Sequence, residues 1–161
     1  MMRRTIVLFL SLLIAGTAFA AGSGGGGGGG GGMGGRSSNA PTSALDWYNV
    51  GYSASNAGSY EEAITDFKKA IEMRPDYAEA YNMLGFCTRK LGNVNDAFTY
   101  YEKALKLKPN FPEAREYYGE AYLQQGDLTG AVKQYIILEK AGNRNAKELL
   151  EKIEAFVDQK S

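Results

Sequence analysis

Residues 44–77 read ALDWYNVGYSASNAGSYEEAITDFKKAIEMRPDY, and the chain repeats their pattern twice more. Trp47, Gly51, Gly58, Ala63, Phe67, Ala70 and Pro75 recur at one constant interval as Tyr81, Gly85, Gly92, Ala97, Tyr101, Ala104 and Pro109. One more interval along stand Gly119, Gly126, Ala131 and Tyr135. A fixed period of about 34 residues marks stacked supersecondary units, none of which can bury its apolar face alone.

Each unit predicts two helices. In the first unit Trp47, Val50, Gly51 and Ala54 fall at i, i+3, i+4 and i+7, one face of a helix. Gly58 ends it, and Ser59 with Glu62 three residues on predicts a capping box for a second helix that presents Ala63, Phe67, Ala70 and Ile71. Arg74-Pro75 stops that helix, because a residue before proline avoids the α region. Asp76 with Glu79 is expected to cap the next unit. There Tyr81, Leu84, Gly85 and Thr88 form the first face, Asn93 caps with Asp96, and Ala97, Tyr101, Ala104 and Leu105 form the second face before Pro109. The third unit opens at Asn110 or Phe111, with Pro112 in a first turn where its missing N–H costs nothing. Tyr118, Gly119 and Tyr122 make its face, Gly126 breaks, Asp127 caps, and Ala131 and Tyr135 follow. The small residues imply that Gly51, Gly85 and Gly119 sit at the closest helix approaches, facing Ala63, Ala97 and Ala131. Aromatic rings at the fourth and twenty-fourth places then fill the gaps between units, which makes core the expected place for Tyr81, Tyr101, Tyr118, Tyr122 and Tyr135.

This order of aromatic, glycine, glycine, alanine, aromatic, alanine and proline resembles the tetratricopeptide repeat (TPR) family over residues 44–145. The resemblance implies an all-α, right-handed superhelix of three helix-turn-helix repeats, at 44–77, 78–111 and 112–145, closed by a C-terminal capping helix over 146–161. It also implies a concave groove, lined mainly by the first helix of each unit, that binds peptides or other proteins without catalysis. The third unit departs from the pattern: Arg115 replaces the first aromatic, Leu138 an alanine, and Asn143 the proline. After Gly142, Asn145 with Glu148 is expected to cap the last helix. Its apolar stripe of Leu149, Leu150, Ile153, Phe156 and Val157 suits a lid on the last repeat, with a dimerisation helix as the alternative.

Upstream, residues 1–20 read as a cleavable secretory signal: Arg3 and Arg4, an apolar run from Thr5 to Thr17, then Ala18-Phe19-Ala20. The apolar run is short against the ~20 residues a span needs, so no stable membrane span is expected after cleavage. Residues 21–43 hold nine consecutive glycines at 24–32 and read as a flexible tether with a mean span of roughly 25 Å. No GK[ST] follows, which argues against a phosphate-binding loop. These segments point to a secreted or bacterial periplasmic location.

The composition narrows the chemistry. The 161 residues contain no histidine, which excludes His-dependent triads and His-ligated metal sites, and Cys87 is the only cysteine. It can form no internal disulfide, and a small buried helix residue is its expected role. The 18 basic and 18 acidic residues balance, and loss of Arg3 and Arg4 leaves a slight acidic excess, no footprint for nucleic acid. No cofactor, metal or catalytic set is expected. Paired glutamates such as Glu116 and Glu120 lack an accompanying nucleophile and base.

The residues rotated off the packing face of each first helix are the candidate partner site: Tyr48 and Tyr52, then Asn82, Phe86, Arg89 and Lys90, then Glu113, Glu116 and Glu120. This order predicts a groove that is aromatic at one end, basic in the middle and acidic at the far end, with exposed rings as anchors. The lysine, arginine and asparagine clamp with which the family's best-known cytosolic groove grips a C-terminal carboxylate has no counterpart. Its places hold Tyr48, Tyr52, Met83, Glu113 and Tyr117. The expected function is a non-enzymatic adaptor of the cell envelope that holds an extended segment of a protein partner. The alternative is a structural or self-assembling spacer, a weak homodimer acting through its last helix or convex face.

Overall fold

The computed structural model describes residues 40–160. The expected signal, and the tether up to residue 39, lie outside the described residues. Within them are seven helices: α1 Ala44–Asn56, α2 Tyr60–Met73, α3 Ala78–Lys90, α4 Val94–Leu107, α5 Pro112–Gln125, α6 Leu128–Lys140 and α7 Asn145–Asp158. Among the described residues no helix is long and apolar enough to cross a membrane. The first helices begin at 44, 78 and 112 and the second helices at 60, 94 and 128, each series at the same even spacing. Every helix packs on the next in the chain, α1 and α5 also meet α3, and α7 lies against both α5 and α6. This is three TPR-like pairs with a seventh helix covering the last.

The turns within the pairs repeat as faithfully as the helices. Gly58, Gly92 and Gly126 all have φ between 80° and 88°, the left-handed region that a glycine enters without strain. In each turn the following N–H donates back to a carbonyl five residues earlier: Ser59 to Ala54, Asn93 to Thr88, Asp127 to Tyr122. Ser59 and Asn93 sit at the N-cap positions but, against expectation, their side chains make no cap bond. Asp127 does cap, accepting from Gly130 N–H at 2.9 Å. Asp76 stands one residue outside α3, whose N-cap is Tyr77. Asn145 lies inside α7, and Asn143 Oδ1 accepts its N–H.

The full capping box is at the start of α1. Ser43, extended at φ −127° and ψ 162°, accepts from Asp46 N–H while the Asp46 carboxylate accepts from Ser43 N–H. The Ser43 hydrogen bond, with those from the Thr42 and Ser43 backbones, holds the Asp46 carboxyl below its ordinary value of 3.8. That stabilisation is present above the ordinary value and is lost as pH falls through the lowered one. Ser43→Ala is expected to cost about 1 kcal/mol and to speed amide exchange in the first turn of α1 alone.

The core forms where small residues admit rings. A Cβ at Gly51 would lie 3.1 Å from the Phe67 ring and 3.2 Å from the Ala63 carbonyl, and one at Gly85 would lie 2.8 Å from the Tyr101 ring. Phe67, Tyr101, Ala63 and Ala97 are fully buried. The third unit breaks the rule. Gly119 faces Leu149 of α7, whose Cδ2 would be 2.6 Å from an added Cβ. Tyr135, expected in the core, is only half-buried and donates its hydroxyl to Glu139 at 2.6 Å. Leu138, Leu149 and Ile153 form the core there instead. Leu138, fully buried, stands where the other units have alanine, and Leu149 holds the place against Gly119 that a ring of the second helix holds in the first two units. Tyr101 and Tyr118 are buried as expected, while Tyr81 and Tyr122 are half-buried. Cys87 is buried, and burial pushes its thiol up.

The row of α3 facing α2 is Ala80, Met83, Leu84 and Cys87, all buried. The equivalent row of α1 is Asp46, Asn49, Val50 and Ser53, with Val50 43% exposed. The outer face of α1 is therefore mostly polar, as a terminal unit requires.

Candidate functional site

The first helices α1, α3 and α5 lie side by side and share one face. The α3 stripe on it is Asn82, Phe86 and Arg89, spaced i, i+4 and i+7. Phe86 holds the centre. Its ring lies 5.2 Å from Tyr117 of α5 and 6.2 Å from Tyr60 of α2, and Lys90 Nζ lies 5.3 Å from its centroid. On α1, Tyr48 stacks on Tyr52 at 6.1 Å and also meets Tyr77 at 5.0 Å and Phe67 at 5.6 Å. Tyr48 is thus part of the packing between the first two units. Burial, then the neighbouring Tyr77 and Tyr52, pushes its phenol up to about 12. Tyr52, at 45% exposure, is the ring left to solvent. Tyr117 also carries a raised phenol, from burial and then from Glu116 and Glu120, with Tyr52 near enough to contribute. On this face, then, Phe86 of α3 and Tyr117 of α5 form a ring pair, and Tyr52 of α1 stacks on Tyr48.

The charged residues sit differently from the expected basic-to-acidic gradient. Arg89 Nη2 donates to Glu120 at 2.7 Å, with side-chain exposures of 8% and 17%. Lys152 of α7 donates to both Glu116 and Glu120. Asn145, also of α7, donates from Nδ2 to Glu116 Oε2 at 2.7 Å. Burial works against the Lys152 charge, but the hydrogen bonds to the two glutamates outweigh it and raise the ammonium above its ordinary value. Arg89, Glu120, Lys152 and Glu116 form one neutral chain of ion pairs that fastens α3, α5 and α7 together. Asn82, Arg89 and Glu116 are buried, while Lys90 and Glu113 are exposed. Two polar atoms on the α3 stripe, Asn82 Oδ1 and Arg89 Nε, are buried with no partner.

The structure therefore brings Phe86, Arg89 and Glu120 together, joins Glu116 to them through Lys152, and leaves Glu113 apart. Tyr117, Asn145 and Lys152 were missed as site residues. The signal for the last two was the period itself: Leu149 stands one interval after Arg115, in phase with Trp47 and Tyr81, which makes α7 a fourth first helix that approaches α5. Among the described residues no group of three or more His, Cys, Asp or Glu converges to hold a metal ion.

Solved structures place this arrangement among TPR-like repeat proteins. The first TPR of Spaghetti (RPAP3), bound to the HSP90 peptide SRMEEVD, matches 74% of this chain and 96% of its own at TM-score 0.64 and 23% identity. PcrH, in complex with the chaperone binding region of PopD, matches 73% of this chain and 92% of its own at TM-score 0.64 and 24% identity. MamA is 31% identical at TM-score 0.56, over 70% of this chain and 61% of its own. The family model described as Regulator of microtubule dynamics protein 1-3 matches residues 47–128, just over half of the chain, and the chain belongs to that family. No curated protein matches the chain.

Proposed function

We propose that the protein is a non-enzymatic adaptor that holds an extended segment of a partner protein on the shared face of α1, α3 and α5, and that its leader sends it to the periplasm or outside the cell. The observation that carries the binding reading is a set of incompletely buried rings on this face: Tyr52 of α1, 45% exposed, and the half-buried Phe86–Tyr117 pair of α3 and α5, each packed on the core by one side only. Peptide-bound neighbours of the same fold, one holding an HSP90 peptide and one a region of PopD, support it. The location rests on residues 1–20 and runs against a microtubule role of the kind that the family description names. Intact mass of the exported protein tests it, with Ala21 as the expected first residue.

For binding, Tyr52→Ala with Phe86→Ala is expected to weaken partner capture at least about tenfold. The helical signal should stay close to that of the parent, with a lowered melting temperature but a cooperative transition, because one side of Phe86 packs on the core. A photoreactive residue at Tyr52 should give one dominant adduct that vanishes when the probe moves to Lys68. An unfolded double variant would instead put these rings in the core. The spacer reading keeps one observation, the adjacent exposed Ile136 and Ile137 on α6. Phe156 no longer supports it, since that ring is partly buried against Leu149 and Ile153. A concentration-dependent dimer abolished by Ile137→Asp would favour it.

A further inference from the structure

We propose that α7 is a replaceable occupant of a helix-binding site on α5 and α6, and that a basic amphipathic helix of a partner takes its place. This goes beyond the adaptor reading and does not rest on it. The repeat register carries it. Gly51 faces the ring of Phe67, and Gly85 that of Tyr101, each ring on the second helix of its own unit. The ring in the same register for Gly119 is Tyr135. Leu149 of α7 fills that notch instead, with Cδ2 and Cδ1 2.6 and 2.7 Å from where a Cβ at position 119 would lie. Tyr135 stands half-buried at the edge, its hydroxyl bonded to Glu139 at the surface. Two side chains therefore compete for one notch, and the one left outside is the one the repeat places there. When α7 leaves, Tyr135 closes on Gly119 as Phe67 and Tyr101 close on their glycines. An unfilled cavity adds to the cost of removing a packed group, and the returning ring offsets part of it.

The resident helix shows what a replacement must carry. Leu149, Ile153 and Phe156 fall at i, i+4 and i+7 and join Leu123, Ala131 and Leu138 in one apolar cluster. Beside that stripe Lys152 donates to Glu116 and Glu120, whose side chains are only 5% and 17% exposed. Glu120 also has Arg89, but Lys152 is the cation on Glu116. A replacement helix without a cation there would leave Glu116 as a stranded charge, and an acidic one would add repulsion. An apolar stripe at this spacing with lysine or arginine at its edge meets both needs, which is the helix-in-groove mode of recognition. The Lys152 side chain keeps 40% of its surface in solvent, so an incoming cation reaches the carboxylates before the resident one has left.

Hydrogen exchange on the full chain tests the release of α7. Tyr135→Ala takes more from the released state, where the ring is packed, than from the closed state, where half of it meets solvent. Amides around Leu149 should therefore exchange roughly tenfold more slowly than in the parent, the worth of burying the rest of one ring. Tyr135→Phe keeps the ring and should leave them close to the parent rate. Faster or unchanged exchange in Tyr135→Ala overturns the inference. So does equal slowing in Tyr135→Phe, which would trace the effect to the hydroxyl and Glu139. The partner class is tested with a synthetic peptide of residues 143–160, added to the Lys152→Met protein, whose own α7 lacks the shared ammonium. The peptide should bind, and its Lys152→Glu version at least about tenfold more weakly. No binding, or equal binding of the two peptides, overturns the basic helix as the occupant. Capture that depends on Tyr52 and Phe86 is a separate readout and bears on the adaptor reading alone.

Discussion

Gly85→Leu is expected to destabilise the protein by about 3 kcal/mol, enough to lower the melting temperature by roughly 10 °C in a domain of this size. A Cβ at position 85 already falls 2.8 Å from Cε1 and 2.9 Å from Cδ1 of Tyr101, before any leucine branch is added. Tyr101 cannot retreat: its side chain is fully buried, and the ring of Tyr118 lies 6.0 Å away. Either α3 and α4 move apart, losing contacts along their whole length, or the ring leaves its rotamer. Gly119→Leu provides the contrast. Its added carbon meets the δ-methyls of Leu149, the flexible end of a side chain on the last helix, so strain there can be relieved by local shift of α7. Thermal melts of both variants should rank Gly85→Leu as the more damaging. A neutral Gly85→Leu would mean that α3 and α4 do not cross at that point.

Lys152→Met is expected to loosen α7 while leaving α1–α4 in place. The substitution keeps most of the side-chain volume but removes the ammonium shared by Glu116 and Glu120, leaving Glu116 only 5% exposed beside a second carboxylate. Breaking a fully buried pair costs about 3–5 kcal/mol; because Lys152 keeps 40% of its side chain in solvent, about 2 kcal/mol is expected here. Adding Glu116→Gln should recover part of the loss by removing the stranded charge. Hydrogen exchange locates the effect: amides of α7 and the facing turns of α5 should exchange faster, those of α1 and α2 at the parent rate. The pH dependence has a definite sign. Lys152 is raised above the ordinary lysine value of 10.5, so its contribution is complete below that value and fades as pH climbs through the higher folded one. Every tyrosine remains in the variant, so the difference between the two pH profiles isolates Lys152. Unchanged α7 protection in Lys152→Met would show that apolar packing of Leu149 and Ile153 alone holds the helix.

Helix positions were legible because they follow from short-range rules. Glycines entering the left-handed region at 58, 92 and 126, and prolines forbidding helix at 74 and 108, act on their own and adjacent backbone. The repeat period copies those rules along the chain, so the element order could be read without knowing any contact. Four of the expected side-chain caps failed: Ser59 and Asn93 stand at N-cap positions without a cap bond, Asp76 lies one residue outside α3, and Asn145 lies inside α7.

By itself the sequence determined that this is an array of helix pairs, where each pair begins and ends, and which face of each helix is apolar. All of these depend on residues within one or two turns of each other. Only the tertiary structure decided the fate of the charges. Glu116 and Glu120 are one turn apart on a polar stripe and look solvated in one dimension, yet α7 brings Asn145 and Lys152 onto them from the last helix of the chain. The same helix places Leu149 against Gly119, where the first two units have a ring from their own second helix, and Tyr135 is left half-buried. Burial and pairing are sums over neighbours from several elements, and one strand of text does not contain that sum. It is this step that takes Arg89, Glu116 and Glu120 out of an apparent charge gradient and into a self-paired network, while Lys90 and Glu113 stay exposed.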